Sequence, residues 1–396
     1  MANNNAKPQF SGEWVRLGDA FELRMGKTPS RKNMAYWRNG KHDWVSIADL
    51  GTFDKYVGTT KEQISDLAVT KSGIKPAPAN TVLMSFKLSI GKVAITRSPV
   101  FTNEAIMALV DKGKYQIDPT FIYHQCKAKD WTAGSNTAVM GKTLNKRTLS
   151  EARIYLPELD RQIQIAAKLD YLDTHIVLAN AVAERLDALV KSRFIEMFGD
   201  ALNSDNRWPE RTLGSMLDIA RGGSPRPIKS YLTSDPAGIN WIKIGDAVNG
   251  SRYIANTAER IKPSGAKKSR LVHSGDFLLS NSMSFGRPYI LKTEGCIHDG
   301  WLVLQGVDEY FNSLFLYQLL ASDDMLHRFR GLVRGGVVNN LNKDLVSTVS
   351  VMVPPIGLQR DFATFVQQVD KLRFDVQQQI EKLELLKNSL MQEYFG

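Results

Sequence analysis

Residues 158–199 have the sequence ELDRQIQIAAKLDYLDTHIVLANAVAERLDALVKSRFIEMFG, which contains no proline. Apolar side chains recur in it at steps of three and four, the spacing that places them on one face of a coiled-coil helix. That face comprises Ile165, Leu169, Leu172, Ile176, Ala179, Ala183, Leu186, Val190 and Met197. The pattern predicts one continuous helix about 60 Å long, at 1.5 Å per residue.

The chain contains this segment twice, at an offset of 197 residues. Leu186 matches Leu383, and Phe198-Gly199 matches Phe395-Gly396. The sequence before each helix also matches, at offsets of 195 to 197. The 396 residues therefore comprise two copies of one unit.

The second helix keeps most of the apolar face of the first. The face comprises Phe362, Val366, Val369, Val376, Ile380, Leu383, Leu390 and Tyr394. Arg373 and Lys387 interrupt it, and we expect the neighbouring Leu372 and Leu386 to compensate for them.

The sequence outside the helices has a different character. Short β-rich runs, such as residues 43–47 and 301–304, alternate with Gly, Pro, Asn and Ser, which predicts compact α/β modules. We divide the chain into modules at 1–156 and 201–353 and helices at 157–200 and 354–396. The expected fold class is α+β, with two α/β modules in an internal pseudo-twofold repeat, separated by two long antiparallel coiled-coil helices.

The short link after the first helix predicts the antiparallel direction. Only eight residues lie between Gly199 and Trp208, and they span at most about 28 Å. The second module therefore begins near the far end of the first helix, and the second helix must run back along it, with one module at each end. Alternatively, each apolar face packs only against its own module, but a helix of this length is longer than such a module is wide.

Positive charge is concentrated in the modules. The total of +10 divides into +10 and +4 for the two modules and −3 and −1 for the two helices. This distribution favours contacts between the modules and nucleic-acid phosphate, with the helices as a scaffold and protein-binding surface. A solvated basic surface is the alternative. Two cysteines and the lack of a signal sequence or an apolar stretch of about 18 residues favour a cytoplasmic protein.

No catalytic or metal site is predicted. Gly26-Lys27-Thr28 and Gly141-Lys142-Thr143 lack the glycine of a phosphate loop five residues earlier, where Phe21 and Asn136 stand. The six histidines form no metal-ligand pattern. The Asn-Pro-Pro-aromatic and Asp-Pro-Pro-Tyr tetrapeptides of amino-methyltransferases do not occur. We expect any chemistry to belong to a partner.

Several short motifs occur in the same order in both copies. The first copy has Trp14-Val15-Arg16-Leu17-Gly18-Asp19, Gly26-Lys27-Thr28-Pro29-Ser30, Tyr36-Trp37 and Trp44. The second has Leu213-Gly214, Gly222-Gly223-Ser224-Pro225 and Trp241. In both, a Leu-Asn-Lys segment leads into Leu156-Pro157 or Val353-Pro354. Over nearly its whole length the chain resembles the specificity subunit of type I restriction-modification enzymes.

The resemblance implies a non-catalytic DNA sequence-recognition subunit, with target recognition domains at 1–156 and 201–353 and a spacer helix after each. It also implies assembly on double-stranded DNA with two modification methyltransferase subunits and two restriction subunits. S-adenosylmethionine, ATP and Mg would then be bound by those partners. Because two modules on a rod of fixed length would contact two separate patches of duplex, we expect a bipartite target with a fixed gap. Polar loop residues differ between the copies, so the target should be asymmetric.

Loop residues beside glycine are the candidates for DNA binding, because Arg and Lys suit guanine, and Asn and Gln suit adenine. In the first module they are Lys27, Ser30, Arg31, Lys32, Lys87, Lys92, Asn136, Lys142 and Lys146. In the second they are Arg221, Ser224, Arg226, Asn281, Arg287, Arg334, Asn339, Asn340 and Lys343. For each, a contact to phosphate alone or to solvent is an open alternative. Asn145 and Asn342 are expected instead to cap short helices.

Two hypotheses from other classes stay open at this point. A stand-alone nucleic-acid-processing enzyme, with its active site between the modules, would show turnover as the isolated chain. A tandem-repeat scaffold without a DNA role would show no salt-dependent affinity for DNA.

Overall fold

The structure is a computed structural model that describes residues 11–87, 89–131, 144–199, 207–248, 250–281, 286–334 and 340–396. The chain forms two compact units. Unit 1 consists of residues 1–180 together with 378–396, and unit 2 consists of residues 181–377.

The first copy of the repeat contains nine strands and six helices within its described residues. The strands are β1 (Gly12–Arg16), β2 (Phe21–Met25), β3 (His42–Val45), β4 (Glu62–Ile64), β5 (Val82–Ser85), β6 (Val93–Ile95), β7 (Phe101–Thr102), β8 (Ile106–Asp111) and β9 (Arg153–Pro157). The helices are α1 (Leu17–Ala20), α2 (Ile47–Leu50), α3 (Asp66–Ser72), α4 (Pro119–Ala128), α5 (Lys146–Glu151) and α6 (Leu159–Phe198).

Within its described residues, the second copy follows a similar order, with three additional strands, a 3-10 helix at Ile244–Asp246 in place of α2, and two helices where the first copy has α4. Its strands are β10 (Glu210–Thr212), β11 (Asp218–Arg221), β12 (Leu232–Thr233), β13 (Ile239–Ile242), β14 (Tyr253–Ile254), β15 (Glu259–Ile261), β16 (Arg270–Val272), β17 (Phe277–Ser280), β18 (Pro288–Leu291), β19 (Gly295–Ile297), β20 (Trp301–Gln305) and β21 (Ser350–Met352). Its helices are α7 (Leu213–Met216), α8 (Pro263–Ala266), α9 (Ser313–Leu320), α10 (Asp323–Arg334), α11 (Lys343–Ser347) and α12 (Ile356–Phe395).

The sheets of the two units have matching topology. In unit 1, β2, β8, β5 and β6 form an antiparallel sheet in that order. A second sheet, in the order β4-β3-β7, is mixed, because β3 and β7 are parallel. In unit 2 the corresponding orders are β11-β20-β17-β18-β14 and β12-β15-β13-β19-β16. All four residues of β5 and of its counterpart β17 are buried, as expected for strands that are covered on both faces. The predicted internal repeat is confirmed.

A buried glutamine joins each module to the start of its long helix. Gln162 in α6 donates from Nε2 to the carbonyl oxygen of Pro157 over 2.8 Å, and its Oε1 accepts from the backbone N–H of Asp118. Gln359 in α12 makes the matching bond to Pro354, also over 2.8 Å. Both glutamines are fully buried. Because a buried amide is costly without partners, these bonds hold each module on its helix.

The two long helices pack against each other in antiparallel directions. In unit 2, Asp187 of α6 pairs with Arg373 of α12 over 3.0 Å. Further along α6, the ring of Phe194 meets that of Phe362, which lies earlier in α12, at 5.4 Å. The predicted antiparallel pairing is confirmed.

The cations that interrupt the apolar face of α12 are paired across the helices. Arg373 pairs with Asp187 in unit 2, and Lys387 contacts the carboxylate of Asp173 in unit 1. Leu372 and Leu386, which we expected to compensate, are 55% and 49% exposed. That expectation is wrong, because carboxylates of α6 neutralise the cations directly.

Burial along α6 is uneven. Leu169 and Leu172 lie in the main core of unit 1, whereas Ile176 and Ala179, further along the same face, are only half-buried. Near its end, the helix buries Phe194 rather than Met197. The alternative expectation, that each apolar face packs against its own module, therefore holds only for the start of this helix, because Phe194 and Phe198 belong to the main core of unit 2.

Candidate nucleic-acid interface

In unit 1, the loops that carry most of the candidate DNA-binding residues leave the same end of the four-stranded sheet. Met25, at the end of β2, lies opposite Met107, and Ser85, at the end of β5, lies opposite Ile106. The turns that follow β2 and β5 and the turn that precedes β8 therefore meet. We call residues 26–33, 86–87, 89–92 and 103–105 loop cluster 1. It includes Lys27, Ser30, Arg31, Lys32, Lys87 and Lys92.

Arg31 is held in position by an acidic and an aromatic neighbour. Its guanidinium forms two hydrogen bonds with Glu62, and the Nη2–Oε2 distance is 2.8 Å. The same group lies 3.8 Å from the ring centroid of Trp37, a cation–π contact. The hydrogen bond from Arg31 lowers the pKa of Glu62. About half of the Arg31 side chain is exposed, so it is oriented and still open to a ligand.

A carboxylate lies in the middle of loop cluster 1. The hydroxyl of Thr28 donates to Oε2 of Glu104. That hydrogen bond lowers the pKa of Glu104, and the charges of Lys87 and Arg31 lower it further. Glu104 is therefore ionised at neutral pH and neutralises part of the local positive charge.

The other candidates in loop cluster 1 differ in exposure. Lys27, Ser30 and Lys32 are exposed, whereas Lys87 and Lys92 are half-buried. The ammonium of Lys27 donates to the carbonyl oxygen of Ser72. Lys87 places its ammonium 5.2 Å from the ring of Phe86. The three exposed side chains are the most accessible to a large ligand.

Lys146 does not join the other candidates of unit 1. It is the first residue of α5, and its charge acts on Glu22, whose pKa is lowered first by a hydrogen bond from Arg24 and also by Lys146. Glu22 belongs to the start of β2, away from loop cluster 1. The neighbouring Asn145 caps α5 by accepting from the N–H of Thr148 over 2.9 Å, which confirms its predicted structural role.

Unit 2 has an equivalent set of loops. Arg221, at the end of β11, lies opposite Leu302, and Ser280, at the end of β17, lies opposite Trp301. We call residues 222–227, 281, 286–287 and 298–300, together with Arg221, loop cluster 2. The candidates Arg221, Ser224, Arg226, Asn281 and Arg287 belong to it.

Asp299 is the common partner of four of these candidates. Its Oδ1 accepts from the hydroxyl of Ser224 over 2.6 Å, and Arg226 approaches Oδ2 at 3.5 Å. Its backbone carbonyl accepts from Nε of Arg221 over 3.0 Å and from Nδ2 of Asn281 over 2.8 Å. The hydrogen bond from Ser224 is the largest cause that lowers the pKa of Asp299. Two of these contacts are made to the ionised carboxylate and two to the backbone of the same residue, so the loop is organised around Asp299.

These candidates are not equally accessible. Arg226 is 76% exposed, so its ion pair contributes little to stability and is easily exchanged for another anion. Asn281 is buried, and no partner for its Oδ1 occurs among the described residues. Its side chain supports the loop rather than facing solvent. Arg287 is exposed, next to Ser280.

One further candidate, Asn340, lies beside loop cluster 2, whereas Lys343 starts a short helix, as Lys146 does in unit 1. Asn340 is exposed and precedes Leu341, whose N–H donates to the carbonyl oxygen of Asn281 over 3.1 Å. Lys343 is the exposed first residue of α11. Asn342 caps this helix by accepting from the N–H of Leu345 over 2.9 Å, which confirms its predicted structural role.

Four candidates fall outside the described residues or side chains. Asn136 and Lys142 lie in 132–143, and Asn339 lies in 335–339. Arg334 ends α10, but its side chain is not among those described. As DNA contacts, they and the other candidates stay predictions.

A histidine next to Asp299 is kept neutral by its surroundings. Burial is the largest cause that lowers the pKa of His298. The backbone N–H of Gly300 donates to its Nδ1 over 2.6 Å. Since a protonated nitrogen cannot accept this bond, protonation of His298 would disturb loop cluster 2.

Sequence reasoning missed Glu104 and Asp299, because the expected DNA-binding residues were cations, amides and hydroxyls and included no carboxylate. The internal repeat contained a signal that could have identified these two carboxylates. Glu104 stands two residues before Ile106, and Asp299 stands two residues before Trp301, the equivalent strand residue. An acidic residue at the same place in both copies indicates a shared role.

Across the described ranges, no group of three or more His, Cys, Asp or Glu side chains could hold a metal ion. In the same part of the chain, no helix combines the length and apolar character needed to cross a membrane.

Known proteins resemble both copies. The family described as type I restriction modification DNA specificity domain matches residues 12–188 and again 206–385. The MjaIX type I restriction enzyme specificity subunit of Methanocaldococcus jannaschii is 23% identical, over 95% of this chain and 90% of that protein.

Two solved structures share the fold. One is a chain from work on complex assembly and conformational transition of the type I R-M system. It aligns with a TM-score of 0.66 and 19% identity over 98% of both chains. The other is the type I S subunit from M. genitalium, with a TM-score of 0.56 and 15% identity over 100% of this chain and 98% of that one.

None of these similarities supports a stand-alone enzyme or a scaffold without a DNA role. The family match covers nearly the whole chain and occurs once in each copy of the repeat. The chain therefore belongs to the type I restriction modification DNA specificity family, as a specificity subunit with two tandem target recognition domains.

Proposed function

We propose that this subunit recognises an asymmetric, bipartite DNA sequence, with one half-site for the domain at 1–156 and one for the domain at 201–353. The observation that carries the proposal is the presence, in each unit, of a loop cluster with cationic and hydroxyl side chains at the same end of the central sheet. Such side chains bind phosphates and base edges.

The distribution of charge supports the same conclusion. The first module has 23 Lys and Arg against 13 Asp and Glu, and the second has 18 against 14. Because each phosphate that is neutralised releases counterions, the affinity for duplex DNA should fall steeply with salt concentration. Within the two clusters, the exposed Lys27, Lys32 and Arg226 are the first candidates for contacts to DNA.

The proposed complex contains two modification methyltransferase subunits and two restriction subunits. In this proposal the partners bind S-adenosylmethionine, ATP and Mg, and the subunit itself is not catalytic. Incubation of the purified chain with DNA and these three compounds should give neither methylation nor cleavage. Turnover by the isolated chain would overturn this part.

Domain exchange tests the division of labour between the modules. Residues 201–353 are replaced by the corresponding domain of another type I specificity subunit, and the methylated sequences are determined in cells that carry the complete system. One half-site should change while the other is retained. If both half-sites changed, or neither, the assignment of one half-site to each domain would be wrong.

The gap between the half-sites is proposed to depend on the long helices. Insertion of about four residues, roughly one helical turn, into α6 should alter the gap that the complex accepts. The bases recognised in each half-site should stay the same. An altered half-site in the insertion variant would contradict this part of the proposal.

A further inference from the structure

Each unit places one carboxylate among cationic loops that are proposed to face DNA. Asp299 in loop cluster 2 and Glu104 in loop cluster 1 have equivalent positions. The N–H of Gly222 donates to the carbonyl of Trp301 over 2.9 Å, and the N–H of Gly26 donates to that of Ile106 over 3.1 Å. Glu104 and Asp299 stand two residues before the acceptor residues Ile106 and Trp301. Their hydroxyl partners, Thr28 and Ser224, stand two residues after Gly26 and Gly222.

In unit 2, Asp299 contacts the neighbouring side chains through its carboxylate and its backbone. Ser224 and Arg226 contact its two oxygens at 2.6 and 3.5 Å. Arg221 donates to the backbone carbonyl of the same residue. An arginine that is already oriented loses less conformational entropy when it binds a base than one that is free in solution.

In unit 1 different side chains surround the equivalent carboxylate. Thr28 donates to Glu104, and the positive charges of Lys87 and Arg31 act on it. The acidic position and the hydroxyl are retained in both copies, although Asp replaces Glu and Ser replaces Thr. The retained feature is therefore a hydroxyl–carboxylate pair beside an arginine.

A carboxylate at this place has an electrostatic cost. DNA phosphates repel it, so it weakens the binding of every duplex, matched or unmatched. Any benefit to recognition must therefore come from the side chains that the carboxylate holds in position to bind the matched sequence. A residue that weakens all binding and favours only the matched complex increases discrimination between sequences.

We propose that Asp299 and Glu104 are specificity-determining positioning residues, each for the half-site of its own domain. This inference rests on the proposed function. Asp299 holds the hydroxyl of Ser224 and the guanidinium of Arg226 in the geometry that recognises bases. Glu104 holds the hydroxyl of Thr28 and attracts the guanidinium of Arg31, which Glu62 orients. The charge of each carboxylate reduces binding to unmatched DNA.

The test uses the complete chain in complex with its methyltransferase partner. The variants are Asp299→Asn, Glu104→Gln and the control Asp218→Asn. Asp218 is exposed at the other end of β11 from Arg221, so its replacement removes the same charge away from loop cluster 2. Methylated sequences are determined in cells, and affinities for the wild-type target and a scrambled duplex are measured by fluorescence anisotropy.

Asp299→Asn keeps an oxygen that can accept from Ser224 but removes the charge that pairs with Arg226. We expect tighter binding to scrambled DNA and a loss of discrimination of about fivefold or more, the lower end for one bidentate base contact. Additional sequences should be methylated at the second half-site only. Glu104→Gln should relax the first half-site only.

A conservative variant separates positioning from a merely structural role. Asp299→Glu keeps the charge and introduces the residue type that unit 1 has at this position, so it should restore the wild-type second half-site. If Asp299→Asn does not fold, as thermal unfolding would reveal, Glu104→Gln provides the same test at the first half-site.

The inference is overturned if discrimination by folded Asp299→Asn and Glu104→Gln equals that of the wild type, if either variant relaxes both half-sites, or if Asp218→Asn has the same effect. Failure of the proposed function looks different. In that case the wild-type complex itself would bind target and scrambled duplexes equally, before any variant is compared.

Discussion

Ser224 donates its hydroxyl hydrogen to Oδ1 of Asp299 over 2.6 Å, and Thr28 makes the same type of bond to Glu104 in the other copy. In each case the hydrogen bond is the largest cause of a lowered carboxyl pKa. Two different hydroxyl residues thus have the same role at equivalent places in the repeat.

The exchange of these hydroxyl residues should therefore be tolerated. We expect Ser224→Thr to change the free energy of unfolding by less than about 0.5 kcal/mol, the range of ordinary surface substitutions. Ser224→Ala should lower it by about 1 kcal/mol, because the carboxylate loses a hydrogen bond while staying partly solvated. Urea unfolding followed by circular dichroism measures both. Equal effects of Thr and Ala would show that the hydroxyl is dispensable.

The ion pair between Lys387 and Asp173 should stabilise the helix pair more than an exposed pair does. The side chain of Lys387 is only 18% exposed, so Asp173→Asn leaves an ammonium without its partner. We expect a loss of about 1–2 kcal/mol, less than the roughly 3–5 kcal/mol for a fully buried pair. A double-mutant cycle with Lys387→Met measures the coupling.

The pair Arg193–Glu196 provides the matched control, since both residues lie on α6 and their side chains are 41% and 66% exposed. Glu196→Gln should cost less than about 0.5 kcal/mol. If it cost as much as Asp173→Asn, burial of the pair across the helices would not be the cause of its strength.

Stability should depend on pH through His298. Because burial lowers its pKa in the folded state, the unfolded chain binds a proton at this residue at a higher pH than the folded chain does. The stability contributed by the neutral ring is present above about pH 6.5 and is lost as the pH falls through the lowered folded-state pKa.

Calorimetric unfolding temperatures at about pH 7.5 and about pH 5.5 test this. The decrease should be larger for the wild type than for His298→Asn. His273→Asn serves as the control, since His273 is exposed, and it should behave as the wild type does. Identical decreases for the wild type and His298→Asn would contradict the prediction.

Lys32 should contribute to DNA binding through charge alone. It is exposed in loop cluster 1, so Lys32→Ala should weaken target and scrambled duplexes about equally. The slope of log affinity against log salt should decrease by about 1 if one phosphate contact is lost. Lys191→Ala on α6, also an exposed lysine, should leave the slope unchanged. A change confined to the target duplex would instead identify Lys32 as a base-reading residue.

The long helices were predictable because their information is local. Residues 158–199 contain an uninterrupted apolar period, and the eight-residue link before Trp208 restricts the direction of the return. The contacts between the two helices, in contrast, join residues that are distant in sequence. Asp173 and Lys387 are 214 residues apart in sequence, so their contact could not be recognised from the period, and the two leucines beside the cations were given the wrong role.

The candidate interface was predictable to a similar degree. Nearby glycines predicted that Lys27 and Arg226 lie in loops, and the position of Asn145 and Asn342 before short helices identified them as caps. Contact of the loop residues with DNA stays a prediction. The acceptors of Ser224 and Thr28 were not found, because they lie 75 and 76 residues away. Their identity depends on strand pairing, which brings distant turns together.

Unit 1 is built from two segments that are distant in sequence, and this limits the order in which the protein can fold during synthesis. Residues 378–396 belong to this unit, and Leu390 and Tyr394 are part of its main core, with Leu169 and Leu172. A nascent chain that has just released residue 180 from the ribosome therefore still exposes apolar surface on α6. Unit 1 can complete its core only after residues 378–396 have been translated.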